Sequence, residues 1–394
     1  MTPAGAAVPA IPASRYAERL QAARLEAARV GLDALLVGVG ADLRYLTGYE
    51  AKALERLTML VLPAMDSAPA TLIAPRLEVT PARGCAAARA GAVEIATWEE
   101  TEDPMALVAT RLGAATRGKA DEVAAVAVSD GLRAAFVLGL QAVLPGARFS
   151  LTSSVLRTLR MRKDADEIAA LRAAGAAADR VVLSVAHGRL VGRTEADVAR
   201  EVRERLLAEG HDTAEFSIVA SGPNSASPHH DPGDRVIAGG EPIVLDIGGT
   251  VHGYASDTTR TAWVTGPRGV GPDAEFQRLY GVLQGAQAAA TAAVSPGVAC
   301  EAIDAVARDA IAEAGYGPRF FHRTGHGIGL EGHEDPYIVA GNRELLAVGM
   351  AFSIEPGIYV EGRYGARIED IVVCAEDGAD VLNLATRDLL VVPG

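Results

Sequence analysis

Two rhythms of apolar and polar positions divide the chain near residue 150. Over residues 14–31, SRYAERLQAARLEAARVG, apolar side chains recur at helical spacing, with Ser14 placed as an N-cap and Gly31 as a stop. The unbroken apolar run DALLVGV (33–39) then predicts a buried strand. LTMLVLP (57–63), ATLIA (70–74) and VAAVAV (123–128) repeat that signal, and a helix is expected over 131–143. Strands alternating with helices predict a small α/β domain.

Further on the rhythm changes. LTSSVLRTLRMRK (151–163) holds four basic residues and leads into a long helical pattern with Asp164 near its start. Helices are then expected at 194–209, 273–294 and 300–314, and strands at 216–221, 242–248, 254–264, 350–360 and 366–374. The order is not a strict βαβ alternation, which points to an α+β domain built on an antiparallel sheet. The expected division is a loose tail over 1–13, an N-terminal domain over 14–155 and a second domain over 156–394.

Composition sharpens this picture. A chain of 394 residues, 49% apolar and 22% charged, suits two globular domains with a sizeable core. The opening MTPAGAAVPAIPA has three prolines and no basic residue, unlike a signal peptide. No apolar run is long enough to predict a membrane-spanning helix. The net charge of −13 argues against nucleic-acid partners and anionic membrane surfaces. Three widely spaced cysteines, Cys85, Cys300 and Cys374, read as free thiols in a reducing compartment, so the cytoplasm is the expected location. GAATRGKA (113–120) falls one residue short of a phosphate-binding loop, because Ala120 stands where a hydroxyl is needed.

The candidate chemistry lies in the second domain. HRTGHGIGLEGHEDP (322–336) gathers three of the eight histidines among four glycines. Four carboxylates occupy or adjoin apolar runs: Asp246 in PIVLDIGG, Asp257 in HGYASDTTRTAWV, Glu355 in FSIEPG and Glu369 in ARIEDIVV. A lone buried carboxylate is costly and is normally protonated or paired. Singly, each has an ordinary reading. Asp246 can cap a turn before Gly248, Asp257 can be a turn residue, and Glu355 and Glu369 can pair with Arg367 or Arg363. His326 can be a hydrogen-bonded core histidine. Together, four negative charges need a shared positive partner. Arginine neutralises one or two; two divalent cations neutralise all four, with His326 as a nitrogen ligand. The glycines would let backbone pass close to such a site. An oxygen-rich donor set favours manganese, cobalt or iron(II), with zinc also accepted. Two such ions about 3.5 Å apart can hold a hydroxide and polarise a carbonyl.

The series DIGG, SDTTR, GHGIGLEGHEDP, SIEPG and RIED closely resembles the motif series of the pita-bread metallopeptidases, which include Xaa-Pro aminopeptidase, prolidase and methionine aminopeptidase. The likeness spans about residues 150–394, and the preceding part resembles the smaller creatinase-type domain of the prolyl branch. The resemblance implies an α+β pita-bread catalytic domain behind an N-terminal α/β domain, two divalent ions with manganese first, and a homodimer. Asp246 would bind one ion, His326 and Glu355 the other, and Asp257 and Glu369 would bridge both. Glu355 would also shuttle a proton. His229, in GPNSASPHHDPGD, would lie near the substrate, with His230 the lesser candidate. His333 would contact the scissile amide or its oxyanion, His322 would line the pocket, and Arg367 would orient the carboxylates.

The implied activity is hydrolysis of the Xaa-Pro bond in proline-containing di- or oligopeptides, with a Xaa-Pro dipeptidase as the first reading. Arg343, twelve residues before Glu355, stands close to where prolidases often carry an arginine, and would take the substrate's C-terminal carboxylate; a plain surface residue is the other reading. The alternatives are a Xaa-Pro aminopeptidase, an enzyme acting on a small non-peptide metabolite, and a non-catalytic binding module. The complete ligand set weighs against the last.

Overall fold

The structure is a computed structural model that describes residues 10–65, 68–115, 123–266 and 269–394. Residues 1–9 of the expected tail and 116–120 of the phosphate-loop look-alike lie outside the described residues. Contacts part the chain into two units between Arg160 and Met161, at the end of a helix (Ser153–Met161) that the expected boundary at 155/156 enters.

The N-terminal unit runs α1 (Ala13–Arg29), β1 (Ala34–Gly38), α2 (Ala41–Thr47), β2 (Met59–Pro63), β3 (Thr71–Pro75), α3 (Val79–Gly84), α4 (Ala86–Arg89), β4 (Glu94–Trp98), α5 (Pro104–Ala115), β5 (Ala125–Val128), α6 (Ala134–Val143), β6 (Arg148–Leu151) and α7 (Ser153–Met161). The strands form one sheet in the order β4-β3-β2-β1-β5-β6. β2 is antiparallel to β1 and β3, and the other pairs are parallel. β1, β2, β3 and β5 are buried throughout, which is why they read as unbroken apolar runs. The edge strands β4 and β6 are partly exposed and carry no such run, so the apolar pattern passed over them. Ser14 does not cap α1. The helix starts one residue earlier, behind extended Pro12, and no side chain caps its first turn.

The second unit runs α8 (Ala165–Ala186), α9 (Glu195–Ala208), β7 (Thr213–Ser221), β8 (Glu241–Val251), β9 (Tyr254–Ala255), β10 (Thr258–Val264), α10 (Ala274–Ala292), α11 (Cys300–Glu313), β11 (Gly325–Gly327), β12 (Glu334–Ile338), β13 (Ala351–Ile354), β14 (Gly357–Val360), β15 (Tyr364–Arg367), β16 (Asp370–Ala375), β17 (Gly378–Val381) and β18 (Leu390–Val392). Asp164 starts α8 with a capping box, its carboxylate accepting from the Glu167 amide while Glu167 accepts from the Asp164 amide. One sheet has the order β18-β10-β8-β7 with β9 beside β8, another β12-β11-β13-β16-β17, and β14–β15 form a hairpin. Every pair in this unit is antiparallel except β10–β18. One apolar cluster packs α8 and α9 on β7, β8 and β10. A second packs α10 and α11 on β13, β15 and β16. An isolated bridge from Thr259 to Glu369 ties the two sheet systems together.

Three expected strands are interrupted. Run 350–360 breaks at Glu355–Pro356, run 366–374 at Ile368–Glu369, and run 254–264 at Ser256–Asp257. Pro356 has no amide hydrogen to continue a ladder. At each break the chain leaves strict in-out alternation, so one acid can be set apart from apolar neighbours that stay in the core. Asp246 is the exception: it lies inside continuous β8, in register with Thr259 and Ile218. No described helix is long and apolar enough to cross a membrane.

Candidate metal centre

Asp246, Asp257, His326, Glu355 and Glu369 line one cavity of about 520 Å³, together with His229, His322, His333 and Arg367. That volume suits a small ligand. β11 carries His326 between Gly325 and Gly327. A Cβ on Gly325 would collide with the Ser353 carbonyl oxygen, and one on Gly327 with that of Asp335. The glycines therefore let β11 run unusually close to its neighbours on both sides of the histidine.

The histidine is set up as a nitrogen donor. Its Nδ1 lies 3.1 Å from the Gly327 carbonyl oxygen, which fixes the hydrogen there. Nε2 then faces Glu355 Oε1 at 3.3 Å and Asp257 Oδ2 at 3.6 Å. Burial, helped by nearby His333, lowers its pKa to about 3, against the pull of the Gly327 carbonyl. It is a neutral imidazole with its lone pair in the site. One ligand atom from each of Asp257, His326 and Glu369 lies within 4.8 Å of the others.

The carboxylates are crowded. Burial, then repulsion from Glu369, Asp246 and Glu355, raises the pKa of Asp257 well above its ordinary value. Burial, then Glu355 and Asp246, does the same to Glu369. Burial pushes Glu355 up to about 7, with Arg367 opposing. Asp246 Oδ1 and Glu369 Oε1 are buried without a hydrogen-bond partner. Each such orphan costs about 1–3 kcal/mol, more for a charged group. Divalent cations would relieve both the repulsion and the orphaned oxygens, and four carboxylates with one imidazole suit them.

A buried frame holds these groups. Arg367 donates to Asp246 Oδ2 through a short contact, to the Tyr359 hydroxyl at 2.9 Å and to Thr259 Oγ1 at 3.1 Å. Thr259 donates in turn to Glu369 Oε2 at 2.7 Å. Ser353 Oγ accepts from the His326 amide at 3.0 Å and donates to Glu355 Oε1 at 3.2 Å. Burial works against the charge on Arg367, but Tyr359, Asp246, Glu369 and Glu355 outweigh it and hold the guanidinium cationic. Arg363, the other candidate partner, pairs with Glu275 at the surface.

The pocket histidines differ. His229 is exposed and forms no hydrogen bond or ion pair among the described residues. His230 does not line the cavity; its Nε2 lies 2.7 Å from Glu195 Oε2. The His333 ring sits 3.8 Å from that of His326. His322 has both ring nitrogens engaged, Nδ1 with the Arg323 carbonyl and Nε2 with the Tyr359 hydroxyl. Burial, then Arg367, lowers its pKa to about 4.

Arg343 is not in the pocket. Its side chain is 88% exposed and faces Glu301 of α11. The turn after β12 is bonded to the start of α11, the Glu301 amide donating to the Asn342 carbonyl, and this carries Arg343 outward. The cation that does line the cavity, beside Arg367, is Arg323, whose guanidinium lies 4.4 Å over the Tyr337 ring. It has no ion pair among the described residues. Sequence reading missed Arg323, the apolar wall of Phe216 and Ile218, and the supports Ser353, Thr259 and Tyr359. The i, i+2 spacing of Phe216 and Ile218 on one strand face was the available signal for the wall.

A family model described as metallopeptidase family M24 matches residues 169–376, and one described as the creatinase/prolidase N-terminal domain matches residues 19–162. Over 379 residues the chain is 49% identical to a probable dipeptidase PepE of Mycobacterium tuberculosis, covering 96% of this chain and 97% of that one. It is 36% identical over 355 residues to a Xaa-Pro dipeptidase of Lactobacillus helveticus, covering 89% and 92%. The crystal structure of dipeptidase PepE from Mycobacterium ulcerans is similar with a TM-score of 0.89 at 47% identity, covering 98% of this chain and 100% of that one.

Proposed function

The chain belongs to metallopeptidase family M24, with a creatinase/prolidase N-terminal domain, and from that premise we propose that it is a Xaa-Pro dipeptidase of the pita-bread fold using two divalent ions. The observation that carries this reading is the cavity set of three buried carboxylates, the partly buried Glu355 and one neutral imidazole, with two carboxylate oxygens lacking any hydrogen-bond partner. The names of the Mycobacterium tuberculosis and Lactobacillus helveticus relatives support the dipeptide substrate. Asp246, Asp257, His326, Glu355 and Glu369 would hold the ions, and the oxygen-rich set favours manganese. The chemistry such a pair supplies when bound is Lewis-acid polarisation of the scissile carbonyl and activation of a water.

The chain's own groups do the rest. Hydrolysis forms a carbon–oxygen bond and breaks the bond to the proline nitrogen. That nitrogen takes the bonding pair as it leaves, so a proton must reach it. Glu355, held by Ser353, is the proposed carrier from water to nitrogen. His333 is proposed to donate a hydrogen bond to the carbonyl oxygen as charge develops there. Burial, then Arg323, lowers its pKa, so at neutral pH it is a neutral imidazole with one N–H. His229 faces the same cavity from the other sheet system. Arg323, in place of Arg343, is proposed to take the free carboxylate of the dipeptide, an interaction that a longer peptide would lack. Buried free thiols at Cys85, Cys300 and Cys374 support the cytoplasm as location. The homodimer implied by the resemblance is a matter for sedimentation of the purified chain.

The test is mass spectrometry of manganese-reloaded protein incubated with Ala-Pro and Ala-Pro-Ala in one tube. Loss of the dipeptide alone is expected. Arg323→Gln should raise KM for Ala-Pro while Arg343→Gln leaves it unchanged. Release of Pro-Ala from the tripeptide would turn the reading to an aminopeptidase. No change in either peptide, with metal bound, would end the prolyl assignment.

A further inference from the structure

His229 faces the cavity without any hydrogen bond or ion pair among the described residues. Its position must therefore come from the backbone that carries it. That backbone, from Ser221 to His230, leaves the end of β7 through a short 3-10 turn over Gly222–Ala226 and has no ladder of its own.

One side chain holds the segment at its start, middle and end. Glu195, the first residue of α9, is fully buried. Its Oε1 accepts from the Ser221 amide at 2.7 Å, from Ser221 Oγ at 2.7 Å and from Asn224 Nδ2 at 3.1 Å. Its Oε2 accepts from Asn224 Nδ2 at 3.0 Å and lies 2.7 Å from His230 Nε2. The far arm is tied to the same helix end, since the Glu195 amide donates to the Arg235 carbonyl and the Ala196 amide to the Gly233 carbonyl. Burial pushes the Glu195 carboxyl up, but the bonds from Ser221, His230 and Asn224 outweigh it and leave the group below its ordinary value, hence ionised. With His230 drawn to Glu195, its neighbour His229 is the one left to face the cavity.

We propose that Glu195 is a positioning residue: its buried carboxylate clasps residues 221–230 and so sets where His229 stands against the substrate. The kinetic part of this inference rests on the prolyl reading above; the clasp itself rests on geometry alone. Every contact to the carboxylate is to a donor. Glutamine has the same shape but would set its own N–H groups against some of those donors.

The experiment compares the parent, Glu195→Gln, His229→Ala and the double variant, all reloaded with manganese. Bound manganese, kcat and KM for Ala-Pro, and hydrogen exchange across 221–231 are read for each. Glu195→Gln should lower kcat by about 10–100-fold, the scale of a small misplacement of a reacting group. Manganese content should stay at the parent's level, and exchange across 221–231 should rise. On the His229→Ala background the same change should alter kcat by less than about threefold, because the two act through one group. Losses that multiply, or unchanged exchange in the segment, would overturn the proposal. Should Glu195→Gln not fold, His230→Ala removes only one of the two contacts to Oε2, at a partly exposed site, and must give the same non-additivity with His229→Ala. If the parent leaves Ala-Pro intact, the prolyl reading fails by itself. Exchange across 221–231 then decides the clasp separately.

Discussion

Replacing Arg367 by methionine removes a buried charge while keeping most of its length. In the protein the guanidinium is 3% exposed and donates to Asp246, Tyr359 and Thr259. Tyr359 keeps His322 as a partner and Thr259 keeps Glu369. Asp246 fares worst, because its Oδ1 has no hydrogen bond to begin with and its Oδ2 would lose its donor. Breaking a buried ion pair from one side costs about 3–5 kcal/mol. In a unit of this size each kcal/mol lowers Tm by about 2–4 °C, so the metal-free variant should melt roughly 6–20 °C below the parent. If Asp246 is a metal ligand, a cation takes over part of that neutralisation. Scanning calorimetry of parent and Arg367→Met, each in EDTA and in excess manganese, reads the effect directly. Manganese should narrow the deficit by at least about 1 kcal/mol, which is the coupling between two cations that share one carboxylate. A deficit as large with manganese as without it would refute the assignment of Asp246 as a ligand. A metal-free deficit below about 1 kcal/mol would show that the buried pair carries little.

Asp257→Ala and Glu369→Ala should each lose bound manganese together with Ala-Pro hydrolysis; loss of a ligand's supporting partner costs about 10–100-fold, so activity should fall at least about a hundredfold. Full metal content and activity in both variants would sink the two-ion site. His211 is buried, with Nδ1 toward the Leu206 carbonyl and Nε2 toward Ser256 Oγ, and burial lowers its pKa from 6.5. As pH falls below 6.5 the unfolded chain takes up the proton first, so stability is lost toward acid, by at most about 1.4 kcal/mol per pH unit from this one group. Urea melts of His211→Gln should show a shallower acid slope, and an identical slope would contradict this. Lys163→Met would leave Glu334 without its buried ammonium, a pair 1% and 7% exposed, at a cost of about 3–5 kcal/mol. Adding Glu334→Leu should recover part of that loss in denaturant melts; no recovery would place the cost in packing instead.

The candidate ligands were legible in the sequence because a carboxylate in an apolar run is conspicuous, and four such positions share one explanation with His326. The strand breaks beside Asp257, Glu355 and Glu369 were not. Apolar periodicity continues across each break, and only Pro356 marks one of them. Arg343, open in the sequence between a pocket cation and a surface residue, stands at the surface for a related reason. Twelve residues along a chain say nothing of distance once a turn intervenes, and the bonds from α11 to that turn carry the side chain to the surface. Arg323 stood between two candidate histidines, but nothing in its neighbours distinguishes a pocket cation from a solvated one. What separates them is the Tyr337 ring beneath its guanidinium, which comes from the next strand.

The supports of the pocket were hardest to read, and they share a form. Each histidine-bearing segment is irregular or short, and each is tied by a buried acid. Glu195 of α9 holds the segment of His229. Asp304 of α11 accepts from the Thr324 amide and hydroxyl, while Arg308, paired with Asp304, donates to the His322 carbonyl. Glu334, next to His333, is bound to Lys163, which is 171 residues away in sequence. In a helix such as CEAIDAVARDAIAE, Asp304 looks like any solvated acid until its neighbours fold over it. A histidine that must meet a substrate atom cannot also spend its ring on holding itself in place, so that work passes to a neighbour with no chemistry of its own. His229 follows this rule, with a free ring and a clasped backbone. His322 does not, since both its nitrogens are already bonded. Of the two, His229 is the one whose ring nitrogens make no hydrogen bond among the described residues, whereas His322 lines the same cavity with its Nε2 already bonded to Tyr359.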